Sequence, residues 1–213
     1  MKKIFIHGSG HKGNSWNETV KCMQEKENIL YPDLSSILNK KEASYQNLYS
    51  SFVDYCNNID GKVDLCGISL GGILALNYAL DFPNKVNSLV LIGTPHKVPK
   101  IMFSIQNVVF RFLPKSIFEN MAFNKKDTFI LGNTMKKLDF SNRVQYIKCP
   151  TLIICGEKDS ANIKSAYYLS ENIKDSKLEI IKNTGHVVNE ENPKELARIL
   201  NEYYKGVQKI CEE

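Results

Sequence analysis

The sequence predicts an α/β fold: a three-layer αβα sandwich around a mostly parallel sheet of about six strands, with a helical insertion. Three observations predict it. Short apolar runs alternate with helix-like segments along most of the chain, and strands joined through helices pair in parallel. Residues able to do chemistry fall just after the runs that read as strands, where such sheets gather function. One stretch of about fifty residues breaks the alternation and exceeds an ordinary connection.

Residues 3–6 read as a buried strand, followed by a glycine-bearing loop from His7 to Gly13. A helix is expected from Ser15, with Asn14 or Ser15 as its cap. Residues 28–31 form a second strand, stopped by Pro32. From Tyr45 to Asn57, Leu48, Phe52, Val53 and Cys56 recur on one helical face. A third strand at 62–66 leads into a helix at 72–80. Further strands are expected at 86–92, 151–155 and 177–181, with a helix at 163–173 before the last. Asn192-Pro193 opens a final helix whose inner face carries Leu196, Ile199, Leu200 and Tyr203. The insertion, about 95–142, reads as a lid with helices of its own. Its apolar side chains run through 101–113 and on to Ile117, Phe118, Met121 and Phe123.

With 213 residues, the chain reads as one domain, 1–213, large enough for a substantial core. Hydrophobic content of 43% and charged content of 24% are ordinary for a soluble globular protein. The net charge of +5 is mild and its lysine pairs are scattered, which argues against a nucleic-acid stripe. None of the six cysteines forms a C-x-x-C pair, so zinc and thioredoxin-type motifs are not indicated. Cys66 and Cys155 lie in apolar runs and read as small core residues. Free thiols imply a reducing, cytoplasmic setting. After two lysines the N-terminus has an apolar run too short for a signal peptide. No stretch has the length of a membrane span, so no stable membrane association is expected. No metal-ligand cluster appears, and no cofactor is implied.

Gly67-Ile68-Ser69-Leu70-Gly71 sits between the third strand and its helix. A serine on a sharp strand-to-helix turn is lifted out of the sheet beside helix N–H groups. The glycines suit a turn too crowded for a Cβ. Ser69 is the candidate nucleophile. Asp159 follows the fifth strand and is the candidate acid, with Glu157 the competing carboxylate of that loop. His186 follows the sixth strand and is the candidate base. The order Ser, Asp, His is the one expected of such a turn on this sheet. Backbone N–H groups of Leu70 and Ser9 are the candidate oxyanion donors.

These motifs resemble the α/β-hydrolase fold superfamily, in the branch of small lid-bearing serine esterases. The resemblance rests on residues 5–10 with Trp16, 31–34, 67–72, 149–159 and Gly185-His186. It implies that the N–H after His7-Gly8 completes the oxyanion hole, which is Ser9. It also implies that the usual N-terminal hairpin is missing, which is why six strands are expected. The activity it implies is hydrolysis of small carboxylic esters or thioesters, on a small-molecule acyl substrate. Relatives on this fold also include hydroxynitrile lyases, perhydrolases and C–C hydrolases, and small-molecule receptors with little turnover.

Among the remaining residues of note, His7 reads as a tie for the loop backbone. His11 and His96 read as weaker candidates, His96 as a solvated loop histidine. Trp16 reads as core packing.

Overall fold

The structure, a computed structural model, describes residues 1–98 and 121–212. Six strands form one sheet: β1 (Lys2–Ile6), β2 (Ile29–Leu30), β3 (Val63–Ile68), β4 (Val86–Ile92), β5 (Thr151–Gly156) and β6 (Ser176–Ile181). Their spatial order is β2-β1-β3-β4-β5-β6, and every pairing is parallel. Around the sheet run α1 (Asn17–Cys22), α2 (Leu34–Leu38), α3 (Tyr45–Asn57), α4 (Leu70–Asp81), α5 (Lys125–Met135), α6 (Ile163–Asn172), α7 (Val188–Glu191) and α8 (Pro193–Glu212).

Strand periodicity divides the core into two. Ile4, Ile6, Leu65, Leu89, Leu91 and Ile153 point to one face, where α2 to α6 cover them. Phe5, Cys66, Val90, Ile92, Leu152 and Ile154 point to the other, beneath Trp16, Met23 and α8. Alternate residues of one strand are thus buried on opposite sides, as a doubly covered parallel sheet requires. Each fully buried Ile, Leu, Val or Phe contributes about 1.5–3 kcal/mol relative to exposure. In α3, the Ser44 hydroxyl accepts the Asn47 N–H at 3.2 Å as the cap, and Leu48, Phe52 and Cys56 form the buried stripe. The inner face of α8 carries Leu196, Ile199, Leu200 and a half-buried Tyr203.

The first helix departs from the sequence reading. Residues 13–16 form a 3-10 turn and α1 begins only at Asn17, without a side-chain cap. Close packing explains it. A Cβ at Gly13 would stand 2.3 Å from the Tyr31 carbonyl oxygen, and Trp16 is driven inward edge-on to Phe5, ring centres 5.0 Å apart.

Between β4 and β5 the chain leaves and returns through a narrow neck. Val98 N–H donates to Leu138 O at 3.0 Å and Phe140 N–H to His96 O at 2.8 Å. The Lys97 ammonium lies 3.0 Å from the Asp139 carboxylate across the same neck. On the return path α5 packs against α3, and the Thr134 hydroxyl accepts the Tyr45 N–H at 2.9 Å. The apolar run at 101–113, with Ile117 and Phe118, lies outside the described residues. Among the described residues no helix is long and apolar enough to cross a membrane.

The strand order has a consequence for function. From β1 the chain moves outward to β2, then returns to place β3 on the other side of β1. The loops after β1 and β3 therefore diverge and leave a crevice at the carboxyl end of the sheet, the usual ligand site of such folds.

Candidate active site

Ser69 occupies that crevice. It sits between β3 and α4 with φ 55° and ψ −114°, a conformation that costs a non-glycine residue on the order of 1–3 kcal/mol. Two hydrogen bonds hold it there: its N–H donates to Ile92 O at 2.9 Å, and its carbonyl accepts from Ile73 N–H at 3.0 Å. The flanking glycines are steric necessities. A Cβ at Gly67 would lie 2.3 Å from the backbone of Gly71, and one at Gly71 would lie 2.1 Å from Ile6 O. The crowded-turn reading of this motif is therefore correct.

The loop after β1 closes on the same serine. A Cβ at Gly8 would be 3.5 Å from Ser69 Cβ, and Ser9 lines the cavity in front of it. His7 holds this loop in shape. Its Nδ1–H donates to Gly8 O at 2.7 Å, and its Nε2 accepts the Leu34 N–H at 2.9 Å. The ring is fully buried, and burial lowers its pKa despite the Gly8 carbonyl and Asp33 carboxylate nearby. The structural reading of His7 is thus the right one.

Asp159 and His186 meet across the ends of β5 and β6. Asp159 Oδ2 lies 2.7 Å from His186 Nδ1. A carboxylate can only accept, so Nδ1 carries the hydrogen and Nε2 is left as an acceptor. The Asp159 side chain is 3% exposed and the His186 ring 39%. Asn162 braces the acid: its side-chain amide donates to both carboxylate oxygens at 3.0 Å, and its backbone N–H to Oδ1 at 3.2 Å. Burial alone would raise the Asp159 pKa, but the bonds from His186 and Asn162 outweigh it and hold the pKa below the ordinary value. Glu157, the competing carboxylate, turns away and accepts the Asn183 N–H at 2.9 Å.

Ser9, Ser69, Leu70, Asp159 and His186 all line one cavity of about 380 Å³, within the usual range for small-molecule sites. Its far wall comes from α5, through Thr128, Leu131, Gly132 and Met135. Among the described lining residues there is no lysine or arginine. Among the described residues no group of three or more His, Cys, Asp or Glu side chains is placed to hold a metal. Burial raises the thiol pKa of Cys149 to about 11 and of Cys155 to about 12, which suppresses the reactive thiolate form.

A family model described as the alpha/beta hydrolase family matches residues 4–199. The chain belongs to the alpha/beta hydrolase family. It is 23% identical over 256 aligned residues to the monoacylglycerol lipase ABHD6 of Mus musculus, covering 96% of this chain and 75% of that protein. It is 22% identical over 247 residues to the putative 2-succinyl-6-hydroxy-2,4-cyclohexadiene-1-carboxylate synthase of Bacillus subtilis (strain 168), covering 96% and 90%. The structure of MenH from S. aureus superposes with a TM-score of 0.81 at 19% identity, covering 98% of this chain and 94% of that one.

Within this hydrolase fold, several residues at the site escape a reading of motifs. Asn162 stands three residues after Asp159, the spacing at which a loop amide can fold back on an acid. Gly93 follows the fourth strand and borders the His186–Asp159 pair. Glu191 contacts the histidine loop. His96 differs from expectation: its ring is stacked on Tyr168 with centres 4.0 Å apart, and its Nδ1 is 3.0 Å from the Ser165 hydroxyl. It is a packed residue rather than a solvated one, because α6 folds back over the neck. Trp16 is core, as its pattern suggests.

Proposed function

We propose that this hydrolase cleaves small carboxylic esters, with thioesters as close analogues, through an acyl-enzyme intermediate and without a cofactor. In this reading His186 Nε2 removes the Ser69 hydroxyl proton as Oγ attacks the acyl carbon. The tetrahedral oxyanion is received by the N–H groups of Leu70 and Ser9. His186 then gives its proton to the departing alkoxide, and the acyl group stays on Ser69. A water, deprotonated by the same nitrogen, releases the acid and restores the serine. Asp159 keeps the Nδ1 hydrogen in place and stabilises the imidazolium. Each oxyanion donor is worth about 2.7–4 kcal/mol in the transition state.

The observation that carries the reading is the 2.7 Å His186–Asp159 bond opening onto the cavity that holds the strained Ser69. Leu131, Met135 and Ile73 in the wall suit an apolar acyl chain, and the absence of cationic side chains among the described lining residues suits a neutral ester. On the return path of the insertion, Met121 and the α5 residues Thr128, Leu131, Gly132 and Met135 form one side of this acyl pocket.

The B. subtilis relative is named a synthase, so non-hydrolytic chemistry on the same residues is the second reading. Reaction with a fluorophosphonate, read by intact mass and peptide mapping, tests the first step. One adduct on Ser69 is expected, together with turnover of a panel of acyl esters and complete loss of both in Ser69→Ala. Unchanged turnover in Ser69→Ala would overturn the proposal. An adduct without turnover of any ester would move the second reading forward.

A further inference from the structure

We propose that Glu191 is a positioning residue for His186: its carboxylate bridges the backbone amides on either side of the histidine and fixes where the ring stands. Gly185 N–H donates to Glu191 Oε2 at 2.6 Å, and Val187 N–H donates to Glu191 Oε1 at 3.0 Å. One carboxylate thus spends both oxygens on the residues immediately before and after His186. Amide bonds to a carboxylate are charge-assisted and stronger than neutral ones. The approach needs a glycine at 185, where a Cβ would lie 2.8 Å and 2.9 Å from the two carboxylate oxygens.

A clamp works only if its own base is fixed, and α7 is fixed to the first loop of the fold. The buried Asn189 donates its side-chain Nδ2–H to Ser15 O at 3.1 Å, and its backbone carbonyl accepts the Thr19 hydroxyl at 3.1 Å. On the other side of the histidine, Lys158 N–H donates to Thr184 O at 2.9 Å. The His186 loop is therefore held to the Asp159 loop at its start and to the N-terminal segment, through Glu191 and α7, at its end. Glu191 is thus one link between the histidine loop and α7, beside the bond from Asn192 Nδ2 to the Thr184 hydroxyl at 3.3 Å.

Glu191 touches neither substrate nor reacting atoms. Its effect passes through the ring position, and misplacing a catalytic group by about 1 Å can cost on the order of 100-fold in rate. A mere helix-capping role would move stability and leave kcat alone. The inference rests on the reading of His186 as the base, so its test needs a readout independent of turnover.

The test compares wild type with Glu191→Gln, Glu191→Ala and Gly185→Ala. Glutamine keeps the shape and loses one acceptor. The Gly185 variant leaves the carboxylate intact but forces it away. In wild type the Nδ1 hydrogen shared with Asp159 gives a downfield proton NMR resonance, assigned by its loss in His186→Gln. The expected result is a broadened or absent resonance in all three folded variants, least affected in Glu191→Gln. With a turned-over ester, kcat falls roughly 10- to 100-fold while KM stays within about twofold. The rate of fluorophosphonate labelling of Ser69 falls with kcat. A folded Glu191→Gln or Glu191→Ala protein with an unaltered resonance and a wild-type labelling rate overturns the inference. Failure of the hydrolase reading shows separately, as turnover retained in Ser69→Ala or no adduct on wild type; the resonance then decides the role of Glu191 by itself.

Discussion

Gly93 lies against His186: a Cβ on this glycine would stand 3.0 Å from His186 Nδ1 and 3.1 Å from Asp159 Oδ2. The backbone there has φ +50°, and its N–H is tied to Ile154 O at 2.9 Å, so the residue cannot move aside. Gly93→Ala meets two penalties. The left-handed backbone costs about 1–2 kcal/mol with a side chain, and the new methyl presses on the acid–base pair. We expect a folded protein melting about 2–8 °C lower and at least about tenfold slower in kcat. Melting curves and ester kinetics on the same sample check this, and wild-type kcat in a folded variant would refute the contact.

Asp159→Asn separates charge from shape. Asparagine fits the volume but takes away the acceptor that holds the hydrogen on His186 Nδ1. The tautomer with Nε2 protonated then competes, and the proposed base function of His186 is lost. A fall in kcat of about 10⁴-fold is expected by analogy with triads in general. The same residue carries a pH signature. Its folded pKa lies below the ordinary value, so its stabilising contribution is complete above about pH 4 and disappears as pH falls through the folded pKa. Urea midpoints measured between pH 6 and pH 3 should fall more steeply in wild type than in Asp159→Asn. Parallel curves would contradict the assignment.

The contrast between Asp159 and Asn162 shows what the sequence makes legible. Ser69, Asp159 and His186 stand out because each follows a short apolar run and because serine chemistry needs those residue types in that order. The six strands are legible for the same reason: β4 over its full span, the others with ends one or two residues off, and the second, expected over 28–31, formed only at Ile29–Leu30 ahead of Pro32. Asn162, Gly93 and Glu191 act by proximity that exists only after β4, β5 and α7 are packed together. A lone amide or glycine carries no period and no motif. The packing of His96 is hidden from the sequence on similar grounds, since its stacking on Tyr168 exists only once α6 is in place.

His7 couples the loop carrying Ser9 to α2 through a neutral ring. In His7→Ala the Leu34 N–H is left buried without its partner, at a cost of about 1–3 kcal/mol. Burial lowers the folded pKa of His7, so the unfolded chain takes up a proton more readily. Stability contributed by the neutral ring is therefore complete above the unfolded value near 6.5 and lost as pH falls from there towards the folded pKa. Denaturation at pH 7.5 and pH 5.5 should show a drop in wild type that His7→Ala lacks. An equal drop in both would assign the pH dependence to other groups.

Gly71 is where α4 crosses β1. The alanine methyl at this position would sit 2.1 Å from Ile6 O and 2.6 Å from Ile6 C, and both are backbone atoms of a central strand that a rotamer change cannot relieve. Either α4 shifts, carrying Ser69 and Leu70 with it, or β1 shifts, carrying His7 and Ser9. Overpacking of this kind costs about 3 kcal/mol, the upper part of the usual range, which in a chain of this size lowers the melting temperature by roughly 10 °C. Because the two proposed oxyanion donors, Leu70 and Ser9, hang on the two elements forced apart, fluorophosphonate labelling should slow more than 100-fold in whatever folded protein remains, the order expected from losing one donor. A Gly71→Ala protein with a wild-type melting curve would show that the crossing is looser than 2.1 Å allows.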